Sequence, residues 1–107
     1  MEMSESGFIG LELMNKNESI LVKSDKEIEL IAKALSSKTR RQILTRIQQE
    51  PMDVSKIAEL LGQTEANVSA QVKILQKANL ITCDYSSGKH GVRKISKLKF
   101  NQLILKF

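Results

Sequence analysis

A chain of 107 residues with a formal charge of +5, 41% apolar and 27% charged residues, has room for one domain with a single modest core and too little for a separate ligand domain beside it. Its apolar runs are short, which excludes a membrane span. Its single cysteine, Cys83, excludes an internal disulfide or a multi-thiolate metal cluster within one chain. Met1 to Gly10 carries Glu2 and Glu5 and no continuous apolar stretch, so neither a secretory signal nor a transit peptide is read there, and the cytoplasm is the expected compartment.

Charge is unevenly divided. Residues 1–30 hold seven acids and three lysines, a balance of −4, whereas residues 31–107 hold fourteen Lys or Arg against five acids, a balance of +9. A cationic segment of this size, without a broad amphipathic helix bearing aromatic anchors, points to nucleic acid rather than to a membrane; a merely solvated basic surface is the alternative.

In chain order, Phe8–Ile9 through Leu13 and Ile20–Val22 are β-prone around a polar Asn15-Lys16-Asn17 turn, which predicts a hairpin or a single strand. Asp25 is placed to cap a helix over Lys26–Ser36 with Ile28, Ile31, Ala32 and Leu35 on its inner face. Ser37 caps a second helix to about Gln49, with Ile43, Leu44 and Ile47 inward, and Pro51 ends that unit. Asp53 then caps Val54–Leu61, and Gly62 supplies the left-handed residue that stops it. Thr64 caps a longer helix from Glu65 to about Ala78, which buries Val68, Val72 and Leu75 and reaches Asn79, a second residue suited to the left-handed region. A short helix, a glycine turn and a longer helix make a helix-turn-helix. From there the period becomes two: Leu80–Tyr85 and Val92–Leu98 read as strands around a tip from Ser86 to Gly91, a wing. Phe100–Phe107 is a last β-prone stretch, open to pairing with Ile20–Val22 or with a second chain.

The expected fold is therefore α+β and mainly helical: a winged helix-turn-helix over 25–98, with a two-stranded wing. An N-terminal strand or hairpin extension covers 1–24 and a C-terminal strand 99–107, and dimerisation is expected through Phe8–Val22, the first helix and Phe100–Phe107.

Residues Ile31 to about Leu98 resemble the winged-helix domain of ArsR-type transcriptional regulators. The run from Ala34 to Leu44 is similar to that family's opening helix pair. Ile57–Gly62, followed by Asn67-Val68-Ser69 and Val72–Leu75, resembles its helix-turn-helix, and Gly88–Ile95 its wing. The chain also departs from the family. Where metal-sensing members hold a Cys-x-Cys pair beside the third helix, it has Asp53 and Ser55, which form no thiolate site, so no metal or other cofactor is expected. The arginine-histidine pair common in the family's recognition helix corresponds here to Ala70 and Gln71, and that helix opens with Glu65.

Base contact needs short or planar polar groups near the start of the helix that enters the groove. With Val68, Val72 and Leu75 inward, the helical step turns Ala66, Ser69, Ala70, Lys73 and Lys77 outward and puts Asn67 and Gln71 on the flank. Asn67 and Gln71 are candidates for paired bonds to adenine, or else for solvation or a bridge to the neighbouring helix. Ala66 and Ala70 suit thymine methyl groups, and Ser69 a base or a phosphate. Phosphate contacts are expected from Lys56, Lys73, Lys77, the amides behind Thr64, and Lys89, His90 and Arg93 in the wing. Of Arg40 and Arg41, one is open to the DNA side and the other to an ion pair with Glu27 or Glu29. Lys94, Lys97 and Lys99 read as the wet face of a strand, and Cys83 as a half-buried structural thiol.

A catalytic reading lacks parts, for there is no Ser/His/Asp set and no phosphate-binding glycine loop. The resemblance, with the basic charge, implies a homodimeric, sequence-specific regulator of double-stranded DNA that acts as a repressor, with no membrane partner. The alternatives are an architectural or protein-binding winged helix and, with less support, a redox or metal sensor of the same fold.

Overall fold

The computed structural model describes residues 9–88 and 91–107. Along them run β1 (Gly10–Met14), β2 (Ser19–Val22), α1 (Asp25–Leu35), α2 (Lys38–Gln49), β3 (Met52–Asp53), α3 (Val54–Leu61), α4 (Glu65–Lys77), β4 (Ile81–Gly88), β5 (Gly91–Leu98) and β6 (Gln102–Lys106). The expected α+β winged helix-turn-helix is the observed architecture.

Short polar side chains start each of these helices. Ser24, Ser37, Asp53 and Thr64 accept the amides of Glu27, Arg40, Lys56 and Asn67 at 3.3, 3.3, 2.8 and 3.1 Å. Each such cap stabilises its helix by about 1 kcal/mol. The cap of α1 is thus Ser24, one residue before the expected Asp25. Ser24 has the extended backbone that lifts its hydroxyl over the Glu27 amide, and Asp25 already lies in the first turn, with its charge beside the helix's positive end. The inner face of α1 also shifts: Ala32 is exposed, and Ala34 is fully buried with Ile31. α1 packs against both α2 and α4, and a small residue at the crossing allows that approach.

The strands form two antiparallel sheets, ordered β2-β1-β6 and β3-β5-β4. The last strand pairs with β1, with Leu11 opposite Leu105 and Leu13 opposite Leu103, and not with the Ile20–Val22 strand, which lies at the other edge. β1 is central because both partners add apolar side chains to the face that carries Leu11 and Leu13. The wing is not a bare pair either. The two residues of β3 join β5 through Met52 opposite Ser96 and Asp53 opposite Ile95, and the wing strands run further than expected, to Gly88 and from Gly91.

Asn15 ties the terminal sheet to the rest. Its side-chain oxygen accepts the amides of Asn17 and Glu18 at 2.8 and 3.0 Å, and its nitrogen donates to Lys99 O at 3.0 Å. One apolar cluster then runs from Leu11, Leu13 and Val22 through Ile31, Ala34, Ile43 and Ile47 to Ile57, Val68, Val72, Leu75, Ile81 and Phe100. Each large member contributes about 1.5–3 kcal/mol, so the terminal sheet shares the core of the helices and supports the position of α4.

Candidate nucleic-acid interface

The turn between α3 and α4 is set by Gly62, whose φ of 65° lies in the left-handed region. Beyond it, Val68, Val72 and Leu75 are fully buried. This fixes the rotation of α4 and leaves Ala66, Ala70, Lys73 and Lys77 exposed and Ser69 half-buried on the opposite side. The Thr64 hydroxyl is occupied as the helix cap. Glu65, the acid that opens α4, accepts a bond from Ser55 Oγ of α3 at 3.3 Å and so braces the two helices.

Asn67 and Gln71 lie on the flank facing α2 and are bonded to each other. Gln71 Nε2 donates to Asn67 Oδ1 at 3.3 Å, and Gln71 Oε1 accepts from Arg40 Nη1 at 2.6 Å. Of the uses expected for this pair, the bridge to a neighbouring helix is present in the free chain.

The arginines of α2 correct an expectation. Neither binds Glu27 or Glu29. Arg40 donates through Nε to Ala34 O at 2.9 Å and through Nη2 to Lys33 O at 2.8 Å, and Arg41 donates through Nη1 to Leu35 O at 2.8 Å. The last carbonyls of a helix have no partner inside it and carry its negative end, so they compete well with an exposed carboxylate. The signal in the sequence is spacing, for both arginines lie six or seven residues beyond those carbonyls, just across the Ser36-Ser37 break. Gln63 is a residue that periodicity could not flag, because it sits in the turn.

The remaining cations differ in availability. Lys56 pairs with Glu59 at 3.2 Å on an open surface. Arg93 Nε lies 2.6 Å from Asp53 Oδ2, which ties the wing to the start of α3. Burial pushes the Asp53 carboxyl up, but bonds from the Lys56 amide and the Arg93 guanidinium outweigh it and leave the group below its usual range. Lys97 pairs with Asp84 at 3.3 Å, and Lys99 is no strand residue: its Nζ donates to Asn79 Oδ1 at 2.8 Å beside the Phe100 ring. Cys83 is half-buried, 3.5 Å from Ser96 Oγ. Lys89 and His90 lie outside the described residues. Among the described residues, no group of three or more His, Cys, Asp or Glu side chains is placed to hold a metal ion, and no helix is long and apolar enough to cross a membrane.

A family of helix-turn-helix domains matches residues 35–84. No curated protein matches the chain. Among solved structures, the chain is similar to the homodimeric winged helix-turn-helix DNA-binding domain of a possible ArsR-family transcriptional regulator from Mycobacterium bovis. The identity is 24% and the TM-score 0.61, over 71% of this chain and 72% of that one. An ArsR-family transcriptional regulator matches at 23% identity and a TM-score of 0.59, over 68% and 76% of the two chains. The cadmium metal-sensor of Mycobacterium tuberculosis matches at 27% and 0.54, over 66% and 69%. The chain thus carries a helix-turn-helix domain on the winged-helix fold that ArsR-family transcriptional regulators share.

Proposed function

We propose that the chain is an ArsR-type regulator that binds double-stranded DNA as a homodimer, places α4 of each protomer in a major groove, and represses from a roughly palindromic site. The observation that carries this is the exposed side of α4: small Ala66 and Ala70 admit the helix close to base edges, Asn67 and Gln71 supply amides, and Lys73 and Lys77 follow along the phosphates. The surplus of basic residues after residue 30 supports it.

The terminal sheet is the proposed dimer contact. On its outer face Leu21 and Ile104, 52% and 43% exposed, flank Glu12 across the strands, and the homodimeric relative supports a two-fold assembly. Metal sensing is not part of the proposal: Asp53 is committed to the Lys56 amide and to Arg93, and Ser55 to Glu65. The regulator works in the cytoplasm without a cofactor.

The test is fluorescence anisotropy on the chain's own upstream region and on random duplex across a salt series. A specific regulator prefers its own site roughly a thousandfold or more. Equal binding to all duplexes with a steep salt slope would give an architectural protein instead, the second reading, which Glu65 at the head of α4 and the absence of a recognition-helix arginine favour.

A further inference from the structure

The amides beside α4 form a circuit. Beyond the bonds from Arg40 to Gln71 and from Gln71 to Asn67, Asn67 Nδ2 donates to Gln63 Oε1, and Gln63 Nε2 donates to Thr39 Oγ1 at 3.4 Å. Thr39 precedes Arg40, so the chain of bonds leaves α2, crosses α4 and the turn, and returns to α2. Its direction is not arbitrary. A guanidinium has donors and no acceptor, so Gln71 must turn its oxygen to Arg40 and its amino group to Asn67, and the same constraint passes to Asn67 and Gln63.

We infer that Arg40 is a positioning residue for sequence readout: it fixes which way the Gln71 and Asn67 amides face without itself reaching a base. The inference rests on the proposed DNA reading. Each of these amides has two N–H groups and two lone pairs. The circuit uses one of each and leaves one of each, the combination that the major-groove edge of adenine needs. An amide free to flip presents donor and acceptor in either order and tolerates the reversed pattern. One held by Arg40 rejects it, and loses little rotamer freedom on binding. Arg40 is held in turn by the Lys33 and Ala34 carbonyls, so the end of α1 is built into the readout.

The test selects sites from randomised duplexes, then measures anisotropy on the best site, on its single-base variants and on random duplex, for the wild type, Arg40→Ala and Arg40→Lys. Lysine keeps the charge beside the end of α1 and lacks the planar fork, so it separates orientation from charge and fold; circular dichroism melts check that each variant folds. The expected result for Arg40→Lys is non-specific affinity within about threefold of wild type, with discrimination at adenine positions reduced roughly fivefold or more. The side-chain NH₂ signals of Gln71 and Asn67 should also shift in nitrogen–proton correlation spectra. Discrimination within about twofold of wild type in Arg40→Lys, or a loss equal on every duplex, overturns this inference alone. A wild-type chain with no base preference overturns it together with the DNA reading.

Discussion

Replacing Asp53 separates two jobs that one carboxylate performs. Its Oδ1 accepts the Lys56 amide at 2.8 Å at the start of α3, and its Oδ2 receives Arg93 of the wing at 2.6 Å. Asp53→Ala removes a cap, about 1 kcal/mol, and an ion pair whose arginine is 58% exposed, which screening holds to about 1 kcal/mol or less. The sum is about 1–2 kcal/mol, or roughly 4–16 °C in Tm for a domain of this size. Asp53→Asn keeps a capping oxygen and loses only the charge, so less than about 1 kcal/mol is expected. The pH dependence follows from the depressed carboxyl. A group whose folded pKa lies below its unfolded value stabilises above the unfolded pKa and loses that contribution as pH falls through the folded one. The gap between wild type and Asp53→Asn should therefore be present at neutral pH and close as the solution is acidified below the ordinary carboxylate range. Urea melts at neutral and acid pH measure both. An Asn variant as unstable as the Ala variant, or a gap that persists in acid, would refute the assignment of separate roles.

Three other outcomes follow from the same geometry. Gly62→Ala should cost about 1–2 kcal/mol in a thermal melt, all of it conformational, because an added Cβ meets nothing within 4 Å while φ stays at 65°. In a salt titration of DNA binding, Lys73→Ala should lower the log–log slope by about 0.9, whereas Arg93→Ala should lower it by less, since Asp53 already offsets that charge. Leu21→Lys combined with Ile104→Lys should leave the protomer's melt nearly unchanged, both side chains being exposed in the single chain, and convert a dimer to a monomer in sedimentation; a dimer that survives both would move the contact elsewhere.

What could be read in advance divides by the range of the interaction. Ser37, Asp53, Thr64 and Gly62 act on neighbours within a turn, so their residue types announce the helix ends, and the burial of Val68, Val72 and Leu75 follows from a period visible in the sequence. Met52 and Asp53 form too short a strand to show any period; only Ser96 and Ile95, some forty residues on, make them one. The partner of the last strand was equally open, because Leu103 and Leu105 complement any apolar strand and the choice of β1 depends on the packed helices. At the proposed interface the exposed side of α4 was legible from its buried side. The partners of Arg40 were less so: its spacing from the end of α1 is visible in the sequence, but charge suggests a carboxylate, and the crossing of α1 and α2 decides for the helix-end carbonyls.

The pairing of β1 with β6 bears on the order in which the molecule assembles. Gly10 lies opposite Lys106, so this sheet joins segments from opposite ends of the sequence, while the β1–β2 hairpin closes through a four-residue turn, 15–18. Loop closure costs about 0.6 kcal/mol for each doubling of length, which makes the long closure roughly 2–3 kcal/mol dearer than the short one if the chain between is unstructured. Once the helices have condensed, most of that length is already fixed and the residual search is small. The kinetics should then show the helical body and wing forming first and β6 docking last. Substitutions in β6 would accelerate unfolding and leave the folding rate nearly untouched, the opposite of substitutions at Val68 or Leu75.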